Sequence, residues 1–271
     1  MIEALSFSFI QNAIISSLFV SIACGIVGTL IVVNRMVFIA GGIAHGAYGG
    51  LGLAFFLGIS PLLGAFGFCI ALSLLIACLT YQNNKRVDSI IGAIWAFGMA
   101  FGILLIDITP GYSVDLMSYL FGSILSVSTF DLWLIFGASL IIFFLVIIFY
   151  KEILSVSFDI EFAQLKGVHV KIFYTLLIIM MALCIVATIR AVGLILVIAL
   201  LTIPPYIAEK FCSKLFSMMI LSTILSVCFS FVGLVLAFLF NLTSGATIIM
   251  VASLAFFIVE GFFRAKRYFY A

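Results

Sequence analysis

Short polar breaks divide the chain into apolar runs at about residues 10–33, 37–57, 61–81, 89–107, 131–150, 172–189, 192–209, 215–240 and 246–263. Each run has at least 18 residues, and a helix needs about 20 predominantly apolar residues to cross the hydrocarbon core of a bilayer. The pattern predicts nine spanning helices. A further apolar piece, 113–126, is only 14 residues long and follows Pro110-Gly111. That length predicts a short helix lying at the external surface, or one that dips into the bilayer and returns. The fold class is an all-α polytopic bundle, and residues 1–271 read as a single transmembrane domain.

Composition agrees. Hydrophobic residues make up 66% of the chain and charged residues 8%, against roughly 45–50% and about 25% in soluble domains. Too little polar surface is present to cover a water-soluble globule, and a disordered chain or a nucleic-acid reader is excluded on the same grounds. The six cysteines, Cys24, Cys69, Cys78, Cys184, Cys212 and Cys228, lie in apolar runs without a CxxC pair. This spacing suits small buried hydrophobes better than disulfides or a zinc site. Residues Met1 to Ser8 lack the Lys/Arg start of a cleaved signal peptide, so the first run is expected to remain in the mature protein.

The placement of the few charges says more than their sum. Arg35, Lys85, Arg86, Lys151, Lys166, Lys171, Lys210, Lys214, Arg264, Lys266 and Arg267 fall at alternate junctions, eleven of the 12 basic residues. Basic residues collect on the cytoplasmic side, which predicts an external N-terminus and a cytoplasmic C-terminus. Only Arg190 falls on the opposite side, either as a headgroup anchor or as an outer gate with an acidic partner. Glu3, Asp107, Asp115 and Asp131 collect there as well. Acidic residues are tolerated in external loops, and Asp107, Asp115 and Asp131 equally suit an acidic mouth that concentrates cations or docks a partner.

The loop at about 152–171 differs from the tight connections elsewhere. Asp159 can cap a short helix that carries Phe162 and Leu165 on one face, and Gly167 can end it. Two amphipathic turns held between spanning helices form either an inert interfacial loop or a lever for a cytoplasmic partner. Late in the seventh run, Pro204-Pro205 predicts a kinked helix end or a hinge, because each proline removes a backbone donor.

The chain contains no GxxxxGK[ST], GxSxG or HExxH motif, so neither ATP hydrolysis nor intramembrane catalysis is expected of it. Its most informative segment is Ile39 to Gly52, which includes Gly41, Gly42, Gly46, Gly49, Gly50 and Gly52. Gly42, Gly46 and Gly50, four residues apart, let a neighbouring backbone approach closely. The same glycines suit a helix that loosens and frees carbonyls around a solute. Among them His45 lies about 12 Å from the start of its run at 1.5 Å per residue, near the bilayer midplane. An ionisable side chain at that depth faces the protein interior or a cavity, and neutral imidazole is a ligand for zinc and neighbouring transition metals. A packed histidine bonded to a helix carbonyl is the plain alternative.

Five segments carry a family resemblance. Arg35-Met36-Val37-Phe38 leads into Gly42-Ile43-Ala44-His45-Gly46, and Asp115 to Ser123 follows. The loop Phe158-Asp159-Ile160-Glu161-Phe162-Ala163 with Gly167 is third, then Val192 to Pro204, then Thr243-Ser244-Gly245-Ala246-Thr247. In this order they resemble the integral-membrane permease of manganese/zinc/iron ABC importers over nearly the whole chain. The resemblance implies a multi-pass protein of a bacterial-type plasma (inner) membrane, surrounded by lipid. It implies two permease copies, expected to be identical, around a central path, and an extracytoplasmic metal-binding protein that delivers the ion. It also implies a cytoplasmic ABC ATPase that hydrolyses the ATP and grips Phe158, Asp159, Glu161, Phe162, Ala163, Leu165 and Gly167. No permanently bound cofactor and no nucleic acid are expected.

Three positions depart from the family pattern. Gly41 stands where Asp is usual, Ala44 where Ser is usual, and Gly49 where Pro is usual. Loss of the carboxylate removes a hard oxygen ligand suited to manganese, so zinc is the first expectation, with iron or manganese next. A permease for a metal chelate, siderophore or cofactor is the alternative within transport. A non-transporting membrane assembly protein is the alternative outside it.

Overall fold

The computed structural model describes residues 8–81, 86–109, 122, 124 and 127–270. Among them the chain forms eleven helices: α1 (Ser8–Val33), α2 (Val37–Leu57), α3 (Pro61–Thr80), α4 (Val87–Asp107), α5 (Thr129–Ile148), α6 (Tyr150–Phe158), α7 (Ile160–Leu165), α8 (Val170–Val192), α9 (Leu194–Phe211), α10 (Leu215–Phe240) and α11 (Ser244–Tyr270). Nine of these are long and apolar enough to cross a membrane, in the order that the apolar runs predict. The chain is a polytopic helical bundle. Most of the short piece 113–126, with Asp115, lies outside the described residues.

Local chemistry explains several of the ends. Gly58 takes the left-handed conformation after α2, at φ 66°, and Pro61 opens α3 where its missing N–H costs nothing. At the start of α5 the Ser128 hydroxyl accepts from the Asp131 amide, while the Asp131 carboxylate accepts from the Ser128 amide and hydroxyl. A single residue, Gly193 at φ 78°, separates α8 from α9. Only glycine takes that conformation without strain.

The bundle centres on α1, α2, α8 and α9, whose buried Leu30, Ile31, Ile43, Leu51, Ile178 and Leu200 share one core. Helices α3 and α4 flank α2, and α10 packs on α1 and α9. Helix α11 lies outermost, against α9 and α10. Its Glu260 accepts a hydrogen bond from the Tyr206 hydroxyl of α9 at 3.0 Å and pairs with Lys210 at 3.3 Å and Arg264 at 3.1 Å.

Two expectations are refined. Helix α9 continues through Pro204 and Pro205 to Phe211, so the prolines do not end it. Proline at 205 leaves the Leu201 carbonyl without its intrahelical donor, and that carbonyl faces Gly28 of α1, where a Cβ would lie 2.6 Å from the oxygen. The neighbouring helix thus packs over the interruption. Of the six cysteines, Cys24, Cys69 and Cys184 are buried, while Cys78 and Cys228 are exposed and Cys212 is half-buried. All six are free thiols.

Candidate metal pathway and partner surface

The glycines of α2 bring three helices into near contact. A Cβ on Gly98 of α4 would lie 2.8 Å from the Gly46 Cα, and one on Gly49 would lie 3.1 Å from the Gly98 carbonyl oxygen. Gly52 meets Gly102 of α4, backbone to backbone, and a Cβ on Gly50 would lie 2.7 Å from the Gly64 carbonyl oxygen of α3. Gly42 accommodates the Ile91 side chain and Gly46 also that of Leu72. Of the two roles the glycine spacing allows, the geometry supports close approach. Helix α2 runs unbroken from Val37 to Leu57, so its carbonyls are committed to its own helical hydrogen bonds.

Gly41 behaves differently from the others. A Cβ built on it meets no atom within 4 Å. It lies one turn before His45, on the same helical face, so the position where the family resemblance expects a carboxylate is an open slot.

His45 itself is half-buried, and its ring stacks on the indole of Trp95 in α4, with centroids 4.0 Å apart and planes inclined by 12°. The indole is held in turn: its Nε1–H points to the Met99 sulfur at 3.1 Å, and Phe38 of α2 lies 6.1 Å away, centroid to centroid. The Nδ1 atom of His45 is buried and makes no hydrogen bond. A packed histidine bonded to a helix carbonyl through this nitrogen is therefore not what the structure contains. Leaving a buried ring nitrogen without a partner costs free energy. No group of three or more His, Cys, Asp or Glu residues able to hold a metal occurs among the described residues. Among the described residues His45 therefore belongs to no three-ligand group, where a resident zinc site takes about four ligands.

Trp95 carries no motif. Its signal in the sequence is its rarity, since the chain has 30 Phe and 2 Trp, together with the four-residue spacing of Gly98 and Gly102 behind it. That spacing marks α4 as the partner of the glycine face of α2.

The acidic residues expected at the external mouth separate in their roles. Asp107 ends α4 and is exposed. Asp131 is only 7% exposed, with its carboxylate bound in the capping box of α5. Asp115 lies outside the described residues. Arg190 falls within α8.

The loop at 152–171 folds as an elbow of two short helices. Asp159 caps α7 as expected, its carboxylate accepting from the Phe162 amide at 2.9 Å, and Gly167 takes φ 80° at the exit. The sequence pattern misses α6, which extends the helical path directly beyond α5. Ala163 is buried against Val156 and Val170. Phe158, Phe162 and Leu165 are exposed, Leu165 at 87%, as are Asp159 and Glu161. Within the elbow α6 buries Ile153 and Val156 and α7 buries Ala163, while Phe158, Phe162 and Leu165 face outward.

Comparison with known proteins agrees with this architecture. An uncharacterized membrane protein of Synechocystis sp. is 48% identical over 97% of this chain and 94% of its own. The manganese transport system membrane protein MntC of Listeria monocytogenes is 34% identical over 94% of this chain and 90% of its own. The structure described as PsaBC from Streptococcus pneumoniae in complex with Fab superimposes with a TM-score of 0.84 at 33% identity, covering 94% of this chain and 92% of that one. The model described as the ABC 3 transport family matches residues 6–262. The chain belongs to that family, as a multi-pass permease subunit of the metal ABC importers and not an enzyme.

Proposed function

We propose that this permease passes a divalent transition-metal ion toward the cytoplasm, zinc first and manganese or iron next, between two identical copies of the chain. The observation that carries the reading is His45. It is an ionisable side chain near the middle of a spanning helix, with a buried, unpartnered Nδ1 and an open slot beside it at Gly41. One imidazole from each copy makes a weak waypoint, and conduction needs a site that releases its ion as readily as it takes it. The external N-terminus follows from the distribution of Lys and Arg. An extracytoplasmic binding protein delivers the ion at the outer loops, near Asp107. A cytoplasmic ATPase grips the exposed face of α6 and α7 and supplies the energy. Zinc heads the order because imidazole suits it and the neighbouring position lacks a hard carboxylate. Manganese is the second reading, favoured by the name of the Listeria relative.

The test replaces His45 with Ala in the assembled complex and measures ATP-dependent uptake of zinc and manganese into liposomes. Loss of uptake with assembly intact is the expected result. Undiminished uptake removes His45 from the path, and a competition series between the two ions sets their order.

A further inference from the structure

The permease reading leaves open how motion at the elbow reaches the helix that carries His45. Helix α7 sits on the bundle through an apolar seat formed by Val156, Ala163 and Val170, with Tyr81 and Phe173 beside it. Apolar contact is non-directional and tolerates sliding. The directional contact lies elsewhere. The Asn34 side-chain amide donates to the Ser157 hydroxyl at 2.9 Å and to the Leu30 carbonyl at 2.8 Å. It is the one side-chain hydrogen bond that joins α6 or α7 to another part of the bundle among the described residues. Ser157 stands next to Phe158, at the bend where α6 hands over to α7.

On the other side of this bond the chain is stiff. The Asn34, Arg35 and Met36 amides donate back to Leu30, Val32 and Ile31 at 3.1, 3.0 and 2.8 Å. Arg35 is held at φ 56°, and Met36 is buried in the core. The Met36 carbonyl then accepts from Ala40 in the first turn of α2. No slack loop separates Asn34 from α2, and Phe38, Gly41 and His45 follow on one face of that helix. A hydrogen-bonded turn thus joins Asn34 directly to the start of α2.

We propose that the Asn34–Ser157 hydrogen bond is the link through which movement of the α6–α7 elbow is transmitted to α2 and the His45 waypoint, an inference that rests on the permease reading above. Asn34 and Ser157 are positioning residues in this scheme and touch neither the ion nor ATP. Ser157→Ala is the clean probe, because it removes the bond between elements and leaves the Asn34 bond to Leu30 in place.

The experiment uses the permease assembled with its ATPase and binding protein in liposomes, with zinc and manganese ions as probes. Uptake and ATP hydrolysis are measured together in wild type, Ser157→Ala, Asn34→Ala, the double variant and Ser157→Thr. The expected result is a fall of about three- to ten-fold in ions carried per ATP for each single variant, the scale of one net hydrogen bond. Hydrolysis should stay near wild type, the double variant should be no worse than either single, and Ser157→Thr, which keeps the hydroxyl, should recover the ratio. Unchanged ions per ATP in Ser157→Ala overturns the link, as do losses that add in the double variant. A Ser157→Ala complex that fails to assemble also overturns it, by assigning the hydroxyl to folding. If the wild-type complex hydrolyses ATP yet carries neither ion, the permease reading itself fails and the link falls with it.

Discussion

The His45 imidazole lies almost flat on the Trp95 indole, 4.0 Å away, while its Nδ1 has no protein partner. The stack orients the ring plane and leaves Nδ1 without a hydrogen bond. Trp95 therefore reports on His45. With Trp133→Phe, Trp95 becomes the only indole in the chain, and manganese, a paramagnetic quencher, should dim its emission when it reaches His45. The signal is expected to disappear in Trp133→Phe/His45→Ala. Removing the indole frees the imidazole to rotate, and an aromatic stack is worth about 0.5–1.5 kcal/mol. Trp95→Ala should accordingly reduce zinc uptake by a few-fold, with Trp95→Phe in between. Equal quenching with and without His45 would place the ion elsewhere.

A Cβ built on Gly41, one helical turn before His45, meets no atom within 4 Å. Gly41→Asp should therefore be accepted without repacking and should add a hard oxygen ligand beside the imidazole. Such a ligand favours manganese over zinc relative to the native site. The expected shift in the competition ratio is about tenfold, the effect of roughly 1.4 kcal/mol. Gly41→Ala fills the same space without a ligand and should leave the ratio alone. An unchanged ratio in Gly41→Asp means that the ion does not pass this face of α2.

The nine spans are legible in the sequence because lipid imposes one rule: about 20 apolar residues and no unpaired backbone. Asp159 and Gly167 are legible for a related reason, since capping is local chemistry confined to a few residues. What joins distant helices is less visible. Trp95 lies fifty residues from His45, and nothing local says that their rings meet. The glycine spacing in α2 fits both a tight seam and a loosened helix. Only Gly98, Gly102 and Gly64 arriving opposite decide for the seam, and only the absence of any neighbour sets Gly41 apart. Asp131 reads from the sequence as part of an acidic mouth, yet Ser128, three residues away, makes it a cap.

The glycine seam makes a stability prediction with an internal control. A methyl group on Gly102 would overlap the Tyr48 carbonyl, which belongs to backbone and cannot swing aside. Overpacking of this kind costs about 1–3 kcal/mol. Gly102→Ala should lower the apparent melting temperature of the purified permease in detergent. Gly41→Ala and Gly92→Ala meet no atom within 4 Å, and replacing a helical glycine by alanine gains about 0.5–1 kcal/mol of helix stability. Those two variants should melt at or above the wild-type temperature. Identical melting for all three would show that α2 and α4 are not packed through these residues.

Asp131 separates two roles that a carboxylate can play at an outer helix end. As part of the capping box it exchanges hydrogen bonds with Ser128 at 2.6 and 3.2 Å, and it is almost fully buried. Loss of the hydroxyl partner removes the cap without touching any charge, and a lost cap costs about 1 kcal/mol. Ser128→Ala should therefore reproduce much of the drop in melting temperature caused by Asp131→Ala. Uptake per folded complex should be similar for both. In an acidic mouth the charge itself does the work, so Asp131→Ala alone would lose uptake and Ser128→Ala would transport normally. Measuring melting and uptake for the two variants side by side decides between a carboxylate that holds α5 and one that gathers cations.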